Sequence, residues 1–388
     1  MRVFTAAERR NRLGRRHHLA PEAPAADETS LAERLVGLHA SDPATPFLTA
    51  RARVPAFTAS DLELALYEQN ALRKHLAMRR TLFVFPTDLL PVVQSACTEA
   101  VLAGERKRLV RDVERAGIAR DGARWLARAE RATLNALAER GEATGAQLSR
   151  AVPEIQGKIT IGEGRSWGGQ IGVAGRVFTI LSAGGQIVRG PPDGSWTSSR
   201  HRWTLAGARQ IPRVPEPEAR RELVRRWLGA FGPATMTDLA WWTGLGLTRV
   251  RAATAELRAV EVDLEDGPGV VLPDDLDPDP AVDPWAAFLP SLDPTTMGWK
   301  QRDWYLGQHA AALFDLSGNA GPTLWWDGRV VGGWSQRGSG EVSYRLLEDV
   351  GLEARSVIEG EAARLQDWLG DIVVTARFPT PLHRELAG

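Results

Sequence analysis

Three times before residue 270 the chain repeats one local pattern: apolar residues at helical spacing, a break marked by Gly or Pro, a further short helix, then a β-rich run. Each short helix pair must bury its apolar face beside its own strand, and a helix-turn-helix backed by a hairpin wing is the arrangement that fits. In the first copy Thr29 or Ser30 can cap a helix through Leu31, Leu35 and Leu38, which runs on into Gly37–Asp42 and is stopped by Pro43. Ser60 caps the next helix, and Thr81 to Phe85, closed by Pro86, reads as a strand. In the second copy Thr144 caps Gly145–Ala151, Gly175–Ala183 is helical, and Gln186–Gly190 is a strand turned at Pro191–Gly194. Ser195–Leu205 would return as the second wing strand, with Trp196, Ser198, Arg200 and Arg202 on one face. In the third copy Gly232-Pro233 ends Glu218–Phe231, Thr235 opens Met236–Thr243, Gly244 and Gly246 form a tight turn, Thr248 caps Arg249–Leu257, and Val260–Leu264 is a strand.

Beyond residue 268 the grammar changes. Pro273–Pro284 is acidic and proline-rich and reads as a linker. Short alternating runs at Thr323–Trp326, Val330–Trp334 and Glu341–Leu346, separated by turn signals, suggest a meander or small barrel. An amphipathic helix, Arg355–Leu369, precedes a last strand at Ile372–Arg377. The expected fold is therefore α+β: three tandem winged-helix (helix-turn-helix) units at 1–115, 116–212 and 213–268, the first with a basic N-terminal helix, then a C-terminal β-barrel at 269–388.

The formal net charge is zero, yet residues 1–255 hold 38 Lys+Arg against 25 Asp+Glu, while the remainder hold 10 against 23. That separation suggests a nucleic acid or another anionic partner for the front of the chain. The alternative is an internal electrostatic contact between the two parts. In the first 20 residues Arg9, Arg10, Arg12, Arg15 and Arg16 form a helix or arm that can lie against phosphates or remain solvated.

Other classes fall away. No apolar run reaches the ~20 residues that span a bilayer, and the lone Cys97 excludes a disulfide framework and a Cys-based zinc site. His75 and His201 lack metal-ligand spacing with another His, and no phosphate loop with a Walker lysine exists, so no metal and no cofactor are expected. The reading is a cytoplasmic, nucleoid-associated monomer whose partner is duplex DNA, damaged or intact, and not a membrane.

Gly37-Leu38-His39-Ala40-Ser41-Asp42, Met78-Arg79-Arg80-Thr81-Leu82, Asn319-Ala320-Gly321-Pro322 and Asp327–Trp334 together resemble the winged-helix DNA-binding family that contains the AlkZ and YcaQ bacterial DNA glycosylases. The resemblance spans nearly the whole chain. It implies three tandem winged-helix units and a C-terminal barrel around a DNA channel, with hydrolysis of the N-glycosidic bond of alkylated purines of the N7-alkylguanine type. Family members carry a Gln-x-Gln or Gln-x-Asp pair in the loop after the first long helix; the matching positions here are His39 and Ser41, with Asp42 next in line. His39 can orient a water or act as a base near neutral pH, Ser41 can hydrogen-bond, and Asp42 can offset charge developing on the sugar. The structural alternatives are a helix-terminal histidine and an aspartate held in a turn before Pro43.

For DNA contact the candidates are Lys74, Arg79, Arg80 and Thr81 at the first wing, and Lys158, Arg165, Trp167, Arg200 and Arg202 around the second, mostly to phosphates. Trp167 is either a wedge or a core residue. Of the adjacent pairs Trp241-Trp242 and Trp325-Trp326, one member each is expected at the surface or at a domain contact. The competing functions are a non-catalytic DNA-binding regulator or lesion sensor and a protein-interaction scaffold.

Overall fold

One order of elements, helix–strand–helix–helix–strand–strand, occurs three times. The structure, a computed structural model, describes residues 1–162, 164 and 168–388. The first copy runs Glu28–Arg34, Leu38–His39, Thr45–Arg51, Ala59–Glu63, Leu72–Leu76 and Leu82–Pro86. The second runs Gly122–Arg140, Glu142–Thr144, Gly145–Ala151, Ala174–Ala183, Ile187–Pro192 and His201–Leu205. The third runs Glu216–Phe231, a single bridging residue Ala234, Met236–Thr243, Leu247–Glu256, Val260–Leu264 and Gly267–Val271. In all three the first strand pairs with the last, which pairs with the middle one. Val3–Phe4 adds a parallel edge to the third sheet.

Local chemistry explains where the helices begin. A cap residue must be extended and must reach the N–H three residues on. Asp27 does this at φ −158°, in place of the expected Thr29 or Ser30; Thr29 lies inside the helix and Ser30 closes the capping box from the third position. Thr58 with Asp61 displaces Ser60 in the same way, whereas Thr144 with Gln147 and Thr235 with Asp238 cap where the sequence places them. Gly246, not Thr248, precedes Leu247–Glu256.

The first helix also stops earlier than expected. Val36 (φ 54°) and Gly37 (φ 104°) turn the chain, so Leu38–His39 is a strand rather than a helix end. Glycine is required at 37 twice over, because a Cβ there would lie 2.6 Å from the Phe85 ring.

The second wing is shorter than its sequence suggests, since only His201–Leu205 pairs. Trp196 leaves the hairpin and is buried with its ring 4.9 Å from Phe47 and 5.7 Å from Trp368. The expected alternation from Trp196 to Arg202 is lost to that burial.

The C-terminal part is not a closed barrel. Ala286–Leu289, Thr323–Trp326, Arg329–Gln336 and Val342–Leu346 form an open antiparallel meander whose first and last strands do not pair. Four strands are too few to close on themselves; the helix Gly351–Leu369 packs on the first strand and Pro381–Ala387 on the last two. Residues 372–377 form no strand, because Val374 and Arg377 spend their N–H groups on the side chains of Gln336 and Asp42.

Most of the N-terminal cations face inward. The Arg12 and Arg16 guanidiniums lie 2.9 and 2.6 Å from Asp275, and Arg16 also lies 2.7 Å from Asp279. Arg9 sits over the Trp304 ring at 4.0 Å. The acidic stretch is therefore a strap bound across the helix Ala6–Arg16, and Arg9, Arg12 and Arg16 are buried rather than presented to phosphates.

A second polar knot lies at the centre. Arg53 and Asp293 are both fully buried and bidentate, at 2.7 and 3.0 Å. Thr49 Oγ1 donates to Asp293, the Thr295 N–H does likewise, and Arg53 Nη2 donates to Thr295 Oγ1. His17 joins through Thr295 at 2.8 Å and reaches the Ala230 carbonyl at 3.2 Å. The knot ties the N-terminal helix, the first unit and the third unit to the loop that follows the first strand of the meander.

Candidate active site and nucleic-acid interface

His39 lies on the short strand that the turn at Val36-Gly37 creates, opposite Phe83, whose other neighbour is His75. Directly paired residues share a face, so His39, Phe83 and His75 form one row, while Leu38, Val84 and Lys74 form a row on the opposite face. The His39 ring lies 5.1 Å from Phe83, which in turn lies 6.3 Å from Trp242 of the third unit. Only 5% of His39 is exposed.

Burial, and then the nearby Arg79 cation, lower the His39 pKa to about 3. The ring is therefore neutral at physiological pH, and the sequence expectation of a base titrating near neutrality gives way to a fixed polar group. The Ser41 N–H points at Nδ1 at 3.4 Å, which puts the ring proton on Nε2. Among the described residues Nε2 makes no hydrogen bond.

Asp42 points elsewhere. One carboxylate oxygen accepts the Ala44 N–H at 3.1 Å and the other the Arg377 N–H at 2.8 Å. Burial raises its pKa, and those two backbone N–H bonds oppose the rise. Arg377 also donates to the Ser41 carbonyl at 3.1 Å, so residues 41 and 42 are pinned to the C-terminal segment.

The first wing turns through Arg79 (φ 51°) and Arg80 (φ 64°), with the Thr81 N–H bonded to the Met78 carbonyl at 3.0 Å. A turn with two left-handed positions normally takes Asn-Gly; arginine at both costs roughly 1 kcal/mol each. Arg79 gains a specific place in return, with its guanidinium 3.8 Å over the Trp241 ring. Arg302 stacks on the same ring at 5.3 Å and on Phe314 at 4.6 Å. Burial and Arg302 lower the Arg79 pKa to about 10. Trp241 is thus the half-buried partner of the buried Trp242, at a contact between units, as the adjacent pair suggests. Arg302 and Phe314 carried no signal in the sequence. Arg80 pairs with the buried Glu105 at 2.8 Å, and Thr81 Oγ1 reaches the Arg79 carbonyl at 3.4 Å.

The remaining candidates are dispersed. Lys74 lies on the sheet face opposite His39 and donates to Tyr67 Oη at 3.2 Å. Lys158 is exposed on Lys158–Ile161, which pairs with Gly169–Gly172 as a hairpin inserted between two helices of the second unit. Arg165 and Trp167 lie outside the described residues. Arg200 is exposed, and Arg202 pairs with Glu142 at 2.7 Å on the surface. Among the described residues no three His, Cys, Asp or Glu side chains are grouped to hold a metal, and no helix is long and apolar enough to cross a membrane.

Burial lowers His75 and His201 to about 4, alongside His39 at about 3. A histidine whose pKa falls on folding contributes stability that is fully present above its unfolded value and is lost as pH drops towards the folded one. Stability is therefore expected to fall as pH goes from about 6.5 to about 4, with each fully buried ring costing ~2 kcal/mol by pH 5. Thermal unfolding at pH 7.5 and 5 checks this: His39→Gln should flatten the decline, and an equal decline in that variant would contradict it.

A family model described as DNA glycosylase AlkZ-like matches residues 32–368. Among solved structures, the DNA glycosylase AlkZ of Streptomyces sahachiroi superposes with a TM-score of 0.70 at 20% identity, covering 96% of this chain and 98% of that one. No curated protein matches. The structural likeness is one of fold, mixed α+β along the whole length.

Proposed function

The chain belongs to the AlkZ-like DNA glycosylase family, and from that premise we propose that it is a monofunctional glycosylase hydrolysing the N-glycosidic bond of alkylated purines, N7-alkylguanine among them, in duplex DNA. The observation that carries the proposal is His39: a neutral imidazole with a free Nε2–H, held by Ser41 beside the Arg79–Trp241–Arg302 stack. In a purine alkylated at N7 the base is already cationic. The C1′–N9 bond breaks with its electron pair going to the base, which leaves neutral. Water adds to C1′ of the resulting oxocarbenium and releases a proton to solvent, giving an abasic sugar. No general acid is needed, and His39 serves by fixing the water. Asp42, with both oxygens bonded to backbone N–H groups, acts as a positioning residue for the loop. Charge on the sugar is then offset by the DNA's own phosphates, held by Arg79 and Arg302.

The repeated order of elements and the shared first–last–middle sheets support reading residues 1–115, 116–212 and 213–268 as tandem winged helices, with 269–388 as the capping domain. Lys158 and Arg200, exposed on hairpins, fit phosphate contacts. Arg80 and Arg202, already paired with carboxylates, would contribute less. Incubating the protein with a panel of alkylated duplexes tests the reading: alkali-labile abasic sites are expected. DNA binding without base release from any of them would favour the second reading, a non-catalytic lesion sensor, which the replacement of the family's paired glutamines by His39 and Ser41 supports.

A further inference from the structure

We propose that Tyr67, Lys74, Arg189 and His201 form a composite pocket for one phosphate of the DNA backbone, between the first unit's sheet and the second unit's wing. The site rests on the glycosylase reading above for its ligand; its place is where the two elements meet, with Arg73, next to Lys74, donating to the Arg209 carbonyl at 2.7 Å and Arg209 to Asn70 at 3.1 Å. Lys74 stands on the middle strand of the first sheet, on the face away from His39. Arg189 and His201 come from the two wing strands of the second unit. These segments are more than 110 residues apart in sequence.

The groups are arranged as an acceptor of anions. Arg189 Nε donates to His201 Nε2 at 3.1 Å, and His201 Nδ1 faces the Ser199 carbonyl at 3.1 Å, so the ring is neutral with its proton on Nδ1. Trp203 supports the guanidinium from below, 4.8 Å from ring to cation. Neither terminal nitrogen of Arg189 has a hydrogen-bond partner among the described residues, and the residue is half-buried. Lys74 Nζ spends one proton on Tyr67 Oη at 3.2 Å and keeps two, and the Tyr67 hydroxyl proton is also free to donate.

Among the described residues no carboxylate pairs with either cation. Glu63 lies near enough to act on Lys74 but makes no ion pair with it. Two cations held together without an acid disfavour each other: burial, then Arg189, lower Lys74 to about 8, and burial lowers Arg189 to about 10. An arriving phosphate removes that cost, and the forked guanidinium can engage two of its oxygens at once. The neutral His201 fits this role, since it orients Arg189 without adding a third charge.

The test is anisotropy titration of a labelled duplex with wild type, Lys74→Gln, Arg189→Gln and the double variant from 50 to 200 mM KCl. Exposed Lys107→Gln is the control for loss of one surface charge. Losing one phosphate contact makes the slope of log K against log salt shallower by about 0.9. Each single variant is expected to show weaker binding and a shallower slope, and the double variant no more than one contact's loss, because both cations serve the same phosphate. Slopes equal to wild type in both single variants, or losses that sum to two independent contacts, would overturn the shared pocket while leaving the glycosylase reading intact. Failure of wild type to bind DNA would overturn both.

Discussion

Replacing His39 by glutamine is expected to leave base release within a few-fold of wild type, whereas leucine there lowers it by about 10²–10³, the cost of removing one preorganised hydrogen-bonding group. The two variants separate orientation from proton transfer. Glutamine has no titratable nitrogen but offers an N–H at a similar reach, and it restores the residue that the family resemblance places at this position. If His39 acted by taking a proton, glutamine would fail as badly as leucine. Its pKa of about 3 argues against that role, because a base so weak captures little of the proton released from water. Two measurements follow from one assay. Single-turnover base release from an N7-methylguanine duplex gives the variant ratios, and the wild-type rate should be flat from pH 5.5 to 8. A limb near pH 6.5, lost in His39→Gln, would refute the assignment. Ser41→Pro should act like a mild version of the leucine variant, since it removes the N–H that selects the tautomer.

The second large effect is on stability. Asp293→Ala should cost about 3–5 kcal/mol, because it strands the fully buried Arg53 guanidinium without its bidentate partner. The Thr49 hydroxyl and the Thr295 N–H lose their acceptor in the same stroke. Paired removal should be far milder: Asp293→Leu with Arg53→Met takes both charges out, and buried ion pairs exchanged for apolar groups of similar size are often neutral. Urea unfolding of the two variants decides the matter. Equal losses in both would mean that the knot matters for packing rather than charge.

Much of the fold was legible because it is locally written. Thr144 and Thr235 announce their helices through residues three positions later, and Met236–Thr243 ends at Gly244 in the left-handed region (φ 72°). Short-range signals failed where a distant group competed. Ser195–Leu205 has the alternation of a strand, but Trp196 gains more by burying against Phe47 and Trp368 than by joining the hairpin. The Arg-rich start looks like a phosphate-binding arm until Asp275 and Asp279 are brought to it from some 260 residues away. Charge asymmetry could signal either outcome, and for Arg12 and Arg16 the internal contact prevailed. At the site, the position of His39 was readable from the motif but its neutrality was not, since that depends on Phe83 and Arg79 closing over it. Lys74 and Arg79, five residues apart, look like one basic patch in sequence; Lys74 stands on the sheet face away from His39, whereas Arg79 sits in the turn beyond the strand and stacks on Trp241.

The strap across the N-terminal helix also orders events in time. Residues 6–16 leave the ribosome well before their carboxylate partners at 275 and 279. At ~5–20 residues per second, roughly 13–50 s separate the two. Through that interval the helix holds Arg12 and Arg16 without counter-charge, and the parallel edge Val3–Phe4 has no strand to join. The N-terminal helix thus locks only after the acidic strap has been made, and its docking certifies that the chain between them is complete.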